Sequence, residues 1–406
     1  MDNAQFAEFA ASITEAGLTG QSESAILAGF CEREVTRGLP LTRALVLIDT
    51  LHPVYEGLAF RWTRAQKETT LSEYGRTDDD VSRWQRSPFY RLEESGEPFL
   101  RRRLSPDGEA EFSIFPELRA DGMTDYVAIA NRFAGDETIA GMDCVYSSWA
   151  TDASQGFNDD DIVHLCRLTP FLALAVKSAS LERIAGTLVE TYLGRDPGRR
   201  VLQGRIRRGV AERIQAVLWF SDLRGYTRIS DTASPEDIIP LLNQYADAII
   251  SAIDGQGGDV LKLMGDGVLA IFTAEDRGRA CDAALTAALA ARRGVAAVNQ
   301  RRAAESLPVT DMYLALHIGD VFYGNIGSED RLDFTVVGPA VNEVSRIAAM
   351  CRSVDQPLLV SSAFAAALGE ARSRLVSVGR YALRGVGRPQ HLFTLDQDPY
   401  ASNGQS

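Results

Sequence analysis

Two short apolar runs, residues 216–220 and 260–264, each lead to an aspartate beside a glycine. The first continues as Phe220-Ser-Asp222-Leu-Arg-Gly225-Tyr-Thr227, the second as Lys262-Leu-Met-Gly265-Asp266-Gly267. Apolar runs of this length bounded by turn signals read as strands, which places Asp222 and Asp266 at strand ends. An Asp-Gly pair is a favoured hairpin turn whether or not it binds anything. Two carboxylates delivered from adjacent strand ends can also hold two hard cations over a triphosphate, the apparatus of phosphoryl and nucleotidyl transfer.

At 406 residues the chain is long enough for two or three domains. Its 45% apolar and 24% charged residues are an ordinary globular balance. A net charge of −13 without a long basic run argues against sequence-independent nucleic-acid binding. The five cysteines (Cys31, Cys144, Cys166, Cys281, Cys351) are scattered with no Cys-x-x-Cys, so neither a disulfide framework nor a zinc site is expected. The start, Met-Asp-Asn-Ala-Gln, lacks the basic and apolar regions of a signal peptide. The apolar stretch 162–176 contains His164, Arg167 and Pro170 and reads as too short and too polar for a bilayer span. A reducing, cytoplasmic location is the expectation.

Four segments are expected: a sensory or regulatory α+β domain (1–158), a helical linker and dimerisation region (159–211), an α/β catalytic domain (212–396) and a disordered tail (397–406). In the first, residues 5–16 and 22–37 have helical spacing, and 44–49, 58–62, 126–131 and 139–149 look like strands. Arg101-Arg-Arg103 reads as a solvated turn. Asp159-Asp160-Asp161 opens a helix, since acidic residues favour a helix N-terminus, and Pro170 is expected to kink or interrupt it. Leu181, Ile184, Leu188 and Tyr192 recur at three- and four-residue spacing. That stripe packs either on its own domain or in parallel against a second copy, and the pairing is the reading preferred here. Beyond residue 212 the expected order is strand, helix, strand, strand, helix, strand, helix, strand, with Ser234-Pro235-Glu236 a good helix start.

Backbone amides of Leu223, Arg224, Gly225, Tyr226 and Thr227, after a buried strand, can cradle phosphate oxygens. Lys262 lies four residues before Asp266; a lysine there is ordinarily just solvated. Asn342 and Arg346 are four apart and share a helix face, the geometry that sets an amide near a ribose and a guanidinium near a phosphate. Arg384, in Leu383-Arg384-Gly385-Val386-Gly387, adds a cation beside flexible backbone.

Together these residues identify a family. Residues 212–396 resemble the catalytic domain of class III adenylyl and guanylyl cyclases. The resemblance lies in the two aspartate segments, in Leu314-Ala-Leu-His-Ile-Gly319-Asp-Val-Phe-Tyr-Gly324, and in Val337-Gly338-Pro-Ala-Val-Asn342-Glu-Val-Ser-Arg346. It implies a ferredoxin-like βαββαβ palm and a set of roles. Asp222 and Asp266 would bind two Mg2+ or Mn2+ ions per site. Lys262 and Thr335 would read the base, Asn342 would orient the ribose, and Arg346 would stabilise the pentavalent phosphorus. Arg384 would meet the β- and γ-phosphates. Such sites form between two catalytic domains, so a head-to-tail homodimer of this chain would have two. Many class III adenylyl cyclases have Asp where this chain has Thr335. A Lys–Thr pair resembles the subgroup that includes bicarbonate-responsive soluble adenylyl cyclases. Adenine N1 accepts from a lysine and its exocyclic amine donates to a hydroxyl, whereas guanine reverses both, so ATP is the expected substrate.

The N-terminal part resembles a GAF-like sensory domain through residues 44–62 and Asp125-Tyr126-Val127. The signal it would read, a small molecule or a protein, is not legible. His52 and His164 have no motif that supports haem ligation. The expectation is a cyclase that makes cyclic AMP and pyrophosphate. Its alternatives are guanylate cyclase activity, a catalytically inactive nucleotide-binding regulator, and, through Gly257-Gly258-Asp259-Val260-Leu261, a diguanylate cyclase. The last is disfavoured because the sequence leads into a strand where the Gly-Gly-Asp-Glu-Phe hairpin would turn.

Overall fold

A computed structural model of the chain describes residues 3–75, 77–105, 108, 111–133 and 142–396. The expected tail 397–406 and the first residues of the expected strand 139–149 lie outside these. The chain forms two compact units, Met1–Leu188 and Val189–Ser406.

In the first unit the elements run α1 (Asn3–Leu18), α2 (Glu23–Thr36), β1 (Arg43–Asp49), β2 (Gly57–Thr63), β3 (Thr69–Tyr74), α3 (Asp78–Gln85), α4 (Pro88–Ser95), β4 (Phe99–Arg103), α5 (Phe115–Ala120), β5 (Asp125–Arg132), β6 (Cys144–Thr151) and α6 (Asp159–Leu193). The six strands make one antiparallel sheet in the order β3-β2-β1-β6-β5-β4. Alternation along each strand splits its side chains between two cores. Val46, Phe60, Trp62, Val127 and Trp149 pack under α1, α2 and α6. Leu47, Ala59, Tyr126, Ala128 and Tyr146 face α4 and α5.

Three expectations fail in this unit. Arg101 and Arg103 are not turn residues: they lie on β4 and contact Asp125, which is fully buried, at 2.8 and 3.5 Å, while half of the Arg103 side chain stays exposed. The Asp125 carboxylate also accepts the Phe157 amide at 3.0 Å. Pro170 does not interrupt α6, a helix of 35 residues in all that runs through it while Leu165, Leu168, Leu172 and Val176 are buried. By length and composition α6 is long and apolar enough to cross a membrane, as a buried core helix can also be, and half of its most apolar window is buried in the fold. The stripe on α6 packs on its own unit: Ile184 is buried, and Leu181 and Leu188 lean on the same core. Only Tyr192, 81% exposed, stands clear. His52 stacks on Tyr55, and His164 shares its Nε2 with Glu34 and Arg37, so both have local structural partners.

The second unit follows with α7 (Arg195–Leu202), β7 (Ala211–Leu223), α8 (Tyr226–Thr232), α9 (Pro235–Asp254), β8 (Asp259–Met264), β9 (Gly267–Phe272), α10 (Arg277–Ala304), β10 (Met312–Gly327), β11 (Leu332–Val337), α11 (Pro339–Val354), β12 (Leu358–Ser361), α12 (Ser362–Ala367), β13 (Leu375–Tyr381) and β14 (Gln390–Leu395). The sheet order is β13-β14-β12-β10-β7-β9-β8, with β11 paired to β10. Its centre is the expected βαββαβ arrangement, β7-α9-β8-β9-α10-β10, with β7 and β10 adjacent in the middle. One face buries Val217, Trp219 and Leu314 beneath α9 and α10. The other buries Leu218, Tyr313 and Ala315 beneath α11. The strands and helices beyond β11 complete a mixed α/β fold that the sequence reading left largely unassigned.

Candidate active site

β7 ends at Leu223, and the β8–β9 turn brings Asp266 to the same place. The Leu223 amide donates to the Asp266 carboxylate at 3.1 Å. That turn needs a left-handed residue, and Gly265 supplies it at φ 66°. Asp222 sits one residue earlier on β7, and its Oδ1 is shielded from solvent with no hydrogen-bond partner among the described residues. Its carboxyl is pushed up to about 6, first by burial and then by the charge of Asp266, with Arg352 of α11 opposing. A buried acceptor without a donor and two carboxylates that repel each other fit a divalent cation. Among the described residues no group of three or more His, Cys, Asp or Glu is placed to hold a metal. The two aspartates would therefore share such an ion with phosphate oxygens, backbone carbonyls or water.

The turn after β7 is only partly free. The Leu223 amide is taken by Asp266 and the Arg224 amide by the Asp311 carbonyl at 2.7 Å. Gly225 is left-handed at φ 70°, and α8 begins directly after it. The amides of Gly225, Tyr226 and Thr227 make no hydrogen bond among the described residues. Of the five residues expected to cradle phosphate, these three keep that capacity in their backbone.

Lys262 is on β8, half-exposed, and its Nζ donates to the carboxylate of Asp333 on β11. Asp333 and Thr335 are two apart on one strand and project to the same side, so Lys262 and Thr335 flank one aspartate. Asp333 was missed in the sequence. The available signal was the alternation in Leu332-Asp-Phe-Thr-Val-Val, where Asp333 shares the phase of Thr335. β11 pairs with β10, Gly324 opposite Thr335, and runs through Gly338 into α11. Asn342 is exposed and Arg346 half-buried on that helix. Arg384 is exposed in the loop after β13. The described hydrogen bonds and ion pairs link neither Asn342, Arg346 nor Arg384 to the aspartates or to Lys262. Arg352, one turn and a half beyond Arg346, is a second residue the sequence reading overlooked; its field acts on Asp222.

Comparisons with known proteins concern the same part of the chain. Residues 210–397 match the sequence model of the adenylate and guanylate cyclase catalytic domain. An uncharacterised protein of Mycobacterium tuberculosis is 30% identical over 223 residues, 55% of this chain and 40% of that one. An adenylate cyclase of Anabaena cylindrica is 33% identical over 157 residues, 38% of this chain and 30% of that one. The crystal structure of the adenylyl cyclase CyaB from P. aeruginosa aligns with a TM-score of 0.43 at 23% identity, over 47% of this chain and 97% of that one. The chain spans about two fifths or less of the length of these two sequence relatives. Residues 210–397, a little under half of the chain, are thus similar to the adenylate and guanylate cyclase catalytic domain.

Proposed function

We propose that the protein is an adenylate cyclase that converts ATP to 3′,5′-cyclic AMP and pyrophosphate at sites shared between two copies of the chain. The observation that carries this reading is the meeting of Asp222 and Asp266, with a solvent-shielded acceptor on Asp222 that lacks a donor. Mg2+ or Mn2+ ions bound by these two aspartates would lower the pKa of the ribose 3′-hydroxyl and neutralise the triphosphate. The 3′-hydroxyl gives its proton to water, its oxygen bonds to the α-phosphorus, the in-line bond from that phosphorus to the α,β-bridging oxygen breaks, and pyrophosphate leaves.

The other residues divide the remaining work. The Lys262 ammonium donates to adenine N1, and the Thr335 hydroxyl accepts from the exocyclic amine. Asp333 holds the ammonium in place. Guanine would set its own N1–H against Lys262, and an unpaired buried donor costs about 1–3 kcal/mol. Asn342 orients the ribose. Arg346 meets charge that develops on the α-phosphate in the transition state, where such groups matter most. Arg384 and the free amides of Gly225, Tyr226 and Thr227 meet the outer phosphates. Unit 1, an antiparallel sheet covered by helices on both faces, is read as a GAF-like regulatory domain. Incubating the purified protein with ATP or GTP plus Mg2+ or Mn2+, and identifying the product by mass, tests the reading. Cyclic AMP from ATP is expected. Cyclic GMP as the faster product would move the protein to the guanylate class, and no cyclic product under any condition would make it a regulator.

A further inference from the structure

Unit 1 contains a cavity of about 630 Å3 on the face of its sheet that α4 and α5 cover. That is within the range of small-molecule sites. Alternation along β1 turns Arg43, Leu45, Leu47 and Asp49 toward it, and Trp84 of α3 and Phe89 of α4 form part of the wall. Charged groups of both signs line it, Asp80, Arg83 and Arg86 among them, and those carried by the sheet are spaced along β1 and β2. At one end is Arg61 of β2, which lies opposite Leu45 in the strand register. The Arg61 Nε is shielded from solvent and has no hydrogen-bond partner among the described residues. Its neighbour Arg43 is different, because it pairs with Glu117 at 2.8 Å and Asp121 at 3.4 Å. At the other end are Asp49, Glu56 and Glu93. Burial pushes the Asp49 carboxyl up to about 7, and Asp143, Glu93 and Glu56 add to it by repulsion. An arginine donor without an acceptor and a carboxylate crowded by its own kind each lack what the other end of a ligand could bring.

We propose that this cavity binds a small elongated zwitterion, its carboxylate on Arg61 and its ammonium on Asp49, with an apolar middle against Leu45, Leu47, Trp84 and Phe89. The two ends are four residues apart along the sheet, roughly 13 Å at 3.3 Å per residue. An α-amino acid carries both charges on one carbon and reaches only one end. A simple anion brings no positive charge to Asp49, and a simple cation leaves the Arg61 Nε without an acceptor. The inference concerns unit 1 alone and does not rest on the cyclase reading.

The test is calorimetric titration of the full chain with three probes of equal length: 6-aminohexanoate, hexylamine and hexanoate. 6-Aminohexanoate is expected to bind at least about tenfold more tightly than either one-ended probe, since each charged hydrogen bond contributes separately. Arg61→Gln should weaken 6-aminohexanoate and hexanoate by about tenfold and leave hexylamine unchanged. Asp49→Asn should weaken 6-aminohexanoate and hexylamine and leave hexanoate unchanged. Thermal unfolding checks that both variants fold. If either fails to fold, the wild-type series decides by itself. No heat from 6-aminohexanoate at millimolar concentration, or equal affinity for all three probes, overturns the proposal.

Discussion

Asp222 is held in a protonation state that its surroundings resist. Its carboxyl titrates near 6 in the folded chain, against about 3.9 for an unperturbed aspartate. The folded state therefore binds this proton more tightly than the unfolded state does. The sign follows: the stability that Asp222 contributes is fully present below about pH 4, is lost as pH rises from 4 to 6, and is then constant. Asp222→Asn should remove that penalty and raise the unfolding free energy at pH 7.5 by about 1–3 kcal/mol, while abolishing turnover. Mn2+ should raise the melting temperature of the wild type but not of the variant, and its effect should fade below about pH 6 as the proton competes. A variant less stable than wild type at pH 7.5, or one still responsive to Mn2+, would remove Asp222 from a strained cation site. Asp333 poses a different question. It and Lys262 are 40% and 48% exposed, so their pair contributes little to stability. Asp333→Ala should leave the melting temperature unchanged and cut kcat/KM for ATP by about 5- to 100-fold, because an unheld ammonium reads the base poorly. Equal losses with ATP and GTP would show that Asp333 serves folding or general electrostatics and not base reading. Asp222, Asp266 and Lys262 were singled out in the sequence because each sits in a local motif. Asp333 was not, because its partner is 71 positions away and a half-exposed aspartate has no local mark of its own.

At the level of elements, legibility followed locality in the same way. The β8–β9 hairpin and the start of α9 were readable because Gly265-Asp266-Gly267 and Ser234-Pro235 dictate their own geometry. The Arg101–Arg103 segment was not, since three consecutive arginines read as solvated until a buried carboxylate 24 residues away is known. Pro170 was misjudged because a proline removes one helical hydrogen bond, while the apolar burial on both sides of it acts over several turns. The clamp on Asp125 joins β4, β5 and the segment leading into α6 through Arg101, Arg103 and the Phe157 amide. Removing one partner of a buried ion pair leaves an uncompensated charge. Arg101→Ala, which leaves Asp125 with Arg103 and the Phe157 amide, should therefore destabilise the first unit by about 1–3 kcal/mol, whereas Arg102→Ala, whose partner Glu111 is half-exposed, should cost under about 1 kcal/mol. Chemical denaturation of the full chain distinguishes them. Similar losses for both would mean that the Arg101 and Arg103 contacts to Asp125 contribute no more than surface pairs.

At the scale of the whole molecule, the proposed mechanism makes a demand that no single copy of the chain is expected to meet. If Asp222 and Lys262 serve one site from different copies, Asp222→Ala and Lys262→Ala homodimers should each be nearly inactive. In a heterodimer of the two variants, one site receives both substitutions and the other receives neither. Random assembly makes about half of all dimers mixed, and each has one intact site of two, so activity should recover to roughly a quarter of the wild-type rate under twofold closure. Co-expression with two different affinity tags, followed by sequential purification, isolates the mixed species and raises the expected value to about half. The Asp222→Ala and Asp266→Ala pair is the control, because both substitutions disable the same set of ligands and no mixture of them yields an intact site. Purified mixed dimer of Asp222→Ala with Lys262→Ala that stays inactive would place each complete site within one chain, or couple the two sites so tightly that neither works alone. Recovery in the aspartate-only control would instead show that Asp222 and Asp266 belong to different sites, and would break the two-metal reading at its base.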